Sequence, residues 1–572
     1  MSTSTFDKDF KLEADETNAP VSSSTTTIPV VDGKEEDHSS VTASVAPASD
    51  APAPVHLYHK PPPRQFVLIM IALSLCVFLA SLDQIIVSTS IPAITRSFHS
   101  LGDISWLATA YMMTSTAFQP MYGKLSDIFG RKAVMLFANI MFLAGSAIAG
   151  WATSMTMLII GRGVAGIGAG GLMAMVFVIL SDMLDMRERG KYIGFIGAIF
   201  SLSSVIGPLL GGAFADQLTW RWSFWINLPF GGLSMLFIIV NLDLPTPKGS
   251  MSDKIKRIDF WGSIILLGTV AMIVLGLSWG GTTYPWNSGK VIGVLCGGLA
   301  MAGVFIMFEW KVPNEPIVPI HLYKIRNLWS TYGSLFFSGM SFFGILFYLP
   351  IYFQVVKGED ATVGGLETVP FVFGIVITSI SSGIWVLKRG SYHFFPAVGN
   401  IFFTVGAALC IIFDKDTKRV VTIFVLLICG LGMGFTMQSS TLAVQAAVKP
   451  KYMATVTTSV QFVRTLGQVF GVAIVGSVFN NRLTDDLEQS FPGDPLVLQV
   501  GQDYTLLNRY TPAQRDLIYE GYVHALRYAF YCCVGFCALA FVSSCFIQHK
   551  ELKTNANQGG APAKPEMTVE MA

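Results

Sequence analysis

Fourteen apolar runs recur between Phe66 and Ile547, most of them near 20 residues, with short polar connectors between nearly all of them. They fall at roughly 66–90, 104–123, 133–152, 156–181, 192–213, 223–242, 260–280, 290–311, 330–354, 366–387, 395–413, 419–445, 454–480 and 523–547. About 20 residues of α-helix, rising about 1.5 Å each, cross the roughly 30 Å hydrocarbon core of a bilayer. In hydrocarbon every backbone N–H and C=O must be satisfied internally, which a helix achieves within its own segment. The chain is therefore expected to be an all-α polytopic membrane protein. Composition agrees: 52% of residues are hydrophobic and 13% charged, where a soluble domain carries roughly 25% charged residues. The 54 glycines suit membrane helices whose backbones approach closely.

The placement of Lys and Arg tests the count. With the N-terminus in the cytosol, the short inner connectors carry 17 of these residues and the short outer ones 7, the asymmetry of the positive-inside rule. A miscount of one helix would invert that phase for everything downstream. Both termini are thus expected to be cytosolic. Residues 1–62 and 550–572, rich in Ser, Thr, Ala, Pro and polar residues, are expected to be disordered cytosolic tails. Nothing apolar precedes Phe66, so no cleaved secretory signal is expected. One outer connector, 481–522, is long; its stretch Pro512–Tyr519 reads as an interfacial helix lying on the outer leaflet.

Several chemistries find no residues to support them. The eight cysteines all fall inside the apolar runs, with no CxxC, HxxxH or HExxH anywhere, so neither disulfides, a metal nor another cofactor is expected. Lys+Arg 38 against Asp+Glu 37 leaves no net field for nucleic acid. No Ser/His or His/Asp constellation lies at a membrane face, which argues against an enzyme.

Two charges stand deep inside apolar runs. Asp83 lies about nine residues from Pro92 at the outer end of the first run, and Arg162 about nine residues from Thr153 at the outer end of the fourth. Both then sit roughly 13 Å below the outer surface, too deep for easy snorkelling, so an Asp83–Arg162 pair facing a cavity is expected. Around Arg162, Gly161, Ala165 and Ala169 form one strip of small residues and Gly166 and Gly170 another, which suits helix packing. Gly207-Pro208-Leu209-Leu210-Gly211-Gly212 in the fifth run is a flexible point, since proline removes a backbone donor. In the second half Gln461, Arg464 and Gln468 share one helix face, and Gln438 and Gln445 lie on the run before. Glu309 reads as an interfacial charge.

The connector Gly123-Lys124-Leu125-Ser126-Asp127-Ile128-Phe129-Gly130-Arg131-Lys132 resembles the loop signature of the major facilitator superfamily. That resemblance implies that Asp127, with Arg131 beside it and Gly123 and Gly130 allowing close approach, latches the cytoplasmic side shut. Asp83 to Pro92 resembles the first-helix signature of the fourteen-spanner drug:proton antiporters, with Ile85, Ser88 and Ser90 departing from it. It implies a protonation and coupling role for Asp83. Gly207, Pro208, Gly211 and Gly212 are similar to the antiporter signature, with Ser203 where a further glycine often stands. Trp220 to Gly231 resembles a string of fungal and bacterial exporters and is read as an interfacial anchor. Tyr348 to Gln354 resembles another such string, and as polar residues of the second half Tyr348, Gln354, Gln438, Gln461 and Arg464 are candidates to line a substrate cavity. Gly383 to Gly390 echoes the inner-loop signature, with Leu387 replacing the acid.

The implied fold is the major facilitator fold: an N-terminal six-helix half (63–243), a linker and inserted helix pair (244–315) and a C-terminal six-helix half (316–549). The implied function is proton-coupled export of small amphiphilic organic compounds by alternating access. Small molecules, protons and the bilayer are the expected partners of a monomer in the plasma membrane, or else the vacuolar membrane. A carrier of another solute, such as basic amino acids, and a non-transporting membrane sensor are the alternatives.

Overall fold

The computed structural model describes residues 61–98, 104–281, 284–311, 316–359, 361–492 and 510–551. The two tails and the turn at 491–495 lie wholly or largely outside them. Each apolar run coincides with a long helix. These are α1 (Pro63–Phe98), α2 (Ile104–Phe129), α3 (Arg131–Gly150), α4 (Met155–Met183), α5 (Met186–Gln217), α6 (Asn227–Asn241) and α7 (Phe260–Trp279). The second seven are α8 (Gly289–Lys311), α9 (Arg326–Ile351), α10 (Val369–Arg389), α11 (Phe395–Cys410), α12 (Arg419–Ala447), α13 (Met453–Ser490) and α14 (Pro512–Ser544). The chemistry of the helix ends is local. Ser154 and Asp259 cap α4 and α7 by accepting from the amides of Met157 (3.2 Å) and Gly262 (2.8 Å), and Gly390, at φ +70°, ends α10.

Twelve of these helical segments are long and apolar enough to cross a membrane. The two that fall short are α2, which spends positions on Thr109, Tyr111, Thr114, Ser115, Thr116 and Gln119, and the 16-residue α11. The expected outer segment at 481–522 also differs. Residues 481–490 continue α13, and Pro512–Tyr519 forms the first turns of α14, capped by Thr511 and Gln514. It is a helix extension, not a separate interfacial helix.

The packing repeats. α4 lies between α2 and α3, and α1 against α5 and α6; in the same way α12 lies between α10 and α11, and α9 against α13 and α14. Equivalent polar ties hold each half. Asn400 of α11 donates to Ser334 of α9 (2.9 Å) and the Ala540 carbonyl of α14 (3.2 Å), while Asn139 of α3 faces Cys76 of α1, itself bonded to Ser234 of α6 at 2.9 Å. Two seams join the halves, α2 with α13 and α5 with α10. The inserted pair sits outside: α8 packs on α7, and α7 on both α2 and α13.

Small residues set the helix rotations. A Cβ added at Gly161 or Gly168 of α4 would meet the backbone of α3, and one at Gly166 or Gly170 the backbone of α2. With those faces committed, Arg162 is turned toward α1. In α12, Gly432 serves the approach of α11, and Gly430 and Gly434 that of α10.

Candidate functional site: charges buried between the helices

Asp83 and Arg162 form an ion pair, both at 1% exposure or less. The second carboxylate oxygen of Asp83 accepts from Asn227 Nδ2 at the start of α6 (2.9 Å), which also donates to Ser146 of α3 at 3.0 Å. Arg162 Nε donates to the Leu107 carbonyl (3.0 Å), and its guanidinium lies 4.2 Å from the centre of the Tyr111 ring. One carboxylate thus ties α1 to α4 and α6, and one guanidinium ties α4 to α1 and α2. Such a pair is fully desolvated, so its charges depend on each other.

Asn227 escaped sequence reasoning because its string read as an aromatic anchor. The Trp220 to Trp225 part does pack aromatically, with Trp220 against Phe98 and Phe224. Its signal was an asparagine within the apolar stretch Phe224 to Gly231. Glu309, two residues from the end of α8, is buried and accepts from the amides of Ile317 (3.3 Å) and Val318 (3.4 Å), which close the connector after α8.

The termini of the described bundle, the end of α2, the start of α5, the end of α10 and the start of α13 share one side, here the terminal side; the other is the distal side. On the terminal side Arg131 donates to Asp127 (2.6 Å), to Asp182 at the end of α4 (2.6 Å) and to Ser126 (3.0 Å). Gly130 reaches φ +94°, a conformation glycine adopts freely, and opens α3 against Thr246 and Pro247. Asp182 went unnoticed in the sequence because nothing in its spacing ties it to the α2–α3 loop. Arg131→Gln is expected to leave Asp127 and Asp182 facing each other and to lower the melting temperature, each lost charged hydrogen bond being worth about 1.5–3 kcal/mol. Asp182→Asn in the same chain should recover part of the loss in a thermal-shift assay; no recovery would refute the pairing.

Close approaches between the six-helix halves, at glycines of the described residues, are also found on the terminal side. A Cβ on Gly123 would collide with Thr458, and one on Gly383 would lie 2.7 Å from the Gly190 carbonyl and from Gln438. Between them sits Arg189, buried at 1% exposure, which donates to the carbonyls of Ser181 and Leu184 and to Gln445 Oε1 across the seam (3.1 Å). In sequence it had counted only as a topology charge.

The five cavity candidates do not form one cluster. Gln438 lies in the terminal closure beside Gly190 and Gly194 and accepts from Ser382 at 3.3 Å. Gln461 and Arg464 share a buried face of α13, and the Arg464 guanidinium lies 6.0 Å from the Phe200 ring of α5, in the other half. Tyr348 packs inside its own half, 4.9 Å from the Phe479 ring, and Gln354 lies in the turn after α9 at the distal end. Helix α5 runs unbroken through Pro208; Gly207 lies against Ile85 and Ile86 of α1, Gly211 is buried, and Gly212 faces open space. A groove of about 520 Å³ between α1 and α5, lined by Phe66, Ile71, Phe195 and Lys191 among others, lies on the outer face of the bundle, away from these groups.

A helical membrane bundle with paired buried charges and two repeated halves defines a membrane transporter. The chain belongs to the Major Facilitator Superfamily, whose profile it matches over residues 73–472. It is 34% identical over 498 residues to the efflux pump dotC of Dothistroma septosporum, covering 86% of each chain. It is 36% identical to the MFS-type efflux pump MFS1 of Trichophyton rubrum, covering 86% of this chain and 92% of that one. It is likewise 36% identical to the rubrofusarin-specific efflux pump aurT of Gibberella zeae, covering 85% and 90%. Among solved structures the human organic anion transporter MFSD10 (TETRAN) matches with a TM-score of 0.53 at 15% identity, covering 85% of this chain and 100% of that one. At that identity the likeness shows the fold alone.

Proposed function

We propose that this chain is a proton-coupled exporter of small amphiphilic organic compounds, working by alternating access with fourteen membrane passes. Export is supported by the family and by relatives named as efflux pumps. The observation that carries the coupling is the sealed Asp83–Arg162 pair with its Asn227 tie. A proton on Asp83 removes the counter-charge of Arg162 and weakens the link between α1 and α4. Those helices can then shift, and the protonated and unprotonated states favour different packings of the halves. In this reading the Asp127–Arg131–Asp182 cluster, Gly123 and Arg189 stabilise the conformation closed on the terminal side. That side is the cytosolic one, the halves divide at 63–243 and 316–549, and the protein works as a monomer in the plasma membrane.

The test is transport by the purified full chain in proteoliposomes, with Nile red as the neutral amphiphilic probe. An imposed pH gradient should drive Nile red against its concentration gradient, and a protonophore should stop it. Equal movement with and without the gradient would overturn the coupling. Comparison of secreted metabolites from cells with and without the gene would identify the natural cargo.

A further inference from the structure

We infer that the exported compounds are organic anions, with Arg464 receiving the negative charge; this rests on the exporter reading above and names the class of its cargo. Three arginines are buried among the described residues: Arg162, Arg189 and Arg464. The first is matched by Asp83, and the second spends its guanidinium on carbonyls and Gln445. Arg464, at 7% exposure, makes no ion pair and no hydrogen bond among the described residues, and its Nε is buried without a partner. Its recorded neighbour is the face of Phe200.

The surroundings share this lack of partners. One helical turn away, both amide atoms of Gln461 are buried and unpartnered, as are Thr116 Oγ1 and Gln119 Oε1 on α2. Helices α2 and α13 are antiparallel neighbours, with Gly123 against Thr458. Counting back along α2 and forward along α13 puts Gln119 within one residue of the level of Gln461, and Thr116 within one of Arg464. Buried polar atoms in native proteins are nearly all satisfied. Of the sixteen buried side-chain atoms left unpartnered among the described residues, five lie along this seam, as donors and neutral acceptors beside a cation with no acid among them.

A buried cation without a counter-ion is costly in a low-dielectric interior. A ligand bearing a carboxylate, sulfonate or acidic phenol supplies that counter-ion. Its oxygens can take two parallel guanidinium N–H bonds, the strongest geometry arginine offers. Phe200 presents an aromatic face beside the charge, which suits an amphiphile rather than an inorganic ion. A cationic ligand of the same shape meets repulsion.

Fluorescein and rhodamine 6G share a xanthene ring system and carry opposite charge. Binding of each to the purified full chain, read by fluorescence anisotropy, should favour fluorescein by about tenfold or more. Arg464→Gln should erase the preference, Arg464→Lys should keep most of it, and Arg464→Glu should reverse it. Equal or tighter rhodamine 6G binding by the unaltered chain overturns the inference, and so does an unchanged ratio in a folded Arg464→Gln protein. The ratio for the unaltered chain decides the matter if the variants do not fold. Gradient-driven transport of Nile red and of fluorescein is measured separately: failure of both beside an intact anion preference would sink the exporter reading alone.

Discussion

Asp83→Asn is expected to abolish gradient-driven transport, by about 100-fold or more, while exchange of substrate for substrate across the membrane continues. Asn227 and Arg162 both donate to Asp83, and an asparagine oxygen can still accept from Arg162. The bundle is therefore spared the full cost of breaking a buried ion pair, about 3–5 kcal/mol when one partner is removed outright. What the variant lacks is a group that can gain and lose a proton, so the two packings no longer respond to pH. Counterflow of labelled against unlabelled Nile red, set beside pH-driven accumulation in the same vesicles, separates the two effects. Normal accumulation would remove Asp83 from the coupling mechanism. Arg162→Ala is a harsher change, because it leaves the carboxylate at 0% exposure with no cation beside it.

Gly383→Val and Gly190→Val should each cut transport by about tenfold or more without preventing the halves from folding. On Gly383 the added carbons meet the Gly190 carbonyl across the α5–α10 seam and the flexible amide end of Gln438 in their own half; on Gly190 they meet Gln438 of α12 and Gly383 of α10, both across it. The damage therefore falls on the conformation closed on the terminal side and not on either half alone. Cysteines introduced near Gly123 and Thr458 should become more reactive to a membrane-impermeant thiol reagent applied from the terminal side. Gly168→Val provides the contrast. Its Cβ would enter the Phe142 backbone inside the first half, so loss of the folded protein is expected there. If the seam variants kept full activity and the same thiol reactivity, the closure would have no part in the cycle.

Much of this architecture was legible because hydrocarbon leaves the backbone few choices. Every apolar run became a helix, and the equal depths of Asp83 and Arg162 foretold their contact. The strips Gly161/Ala165 and Gly166/Gly170 pointed to close packing, though not to which neighbour each strip would meet. The partners that were missed belong to rotation about helix axes, which sequence spacing along one helix does not fix. Asn227 was hidden in a string already explained by aromatic anchoring. Asp182 was passed over and Arg189 was read only for topology, because their partners lie on helices distant in the chain. Helix α2 shows the cost of reading hydropathy alone. Its polar side chains lower its average because they face protein: Thr114 bonds the Gly163 carbonyl and Tyr111 that of Ala80.

The repeat makes the two seams between the halves equivalent, but the inserted pair does not treat them alike. Helix α7 rests on both α2 and α13, so it lies across one seam like a strip over a door joint, while among the described residues no long helix packs across α5 and α10 in the same way. A lipid-dissolved molecule thus meets two lateral doors of unequal construction. One is backed by an extra helix that must slide or tilt whenever the halves rock. The other has the short helix Ala361–Glu367 packed against α5. Added helices need not enlarge a transporter's chamber; they can decide from which side of the bilayer plane it is approached.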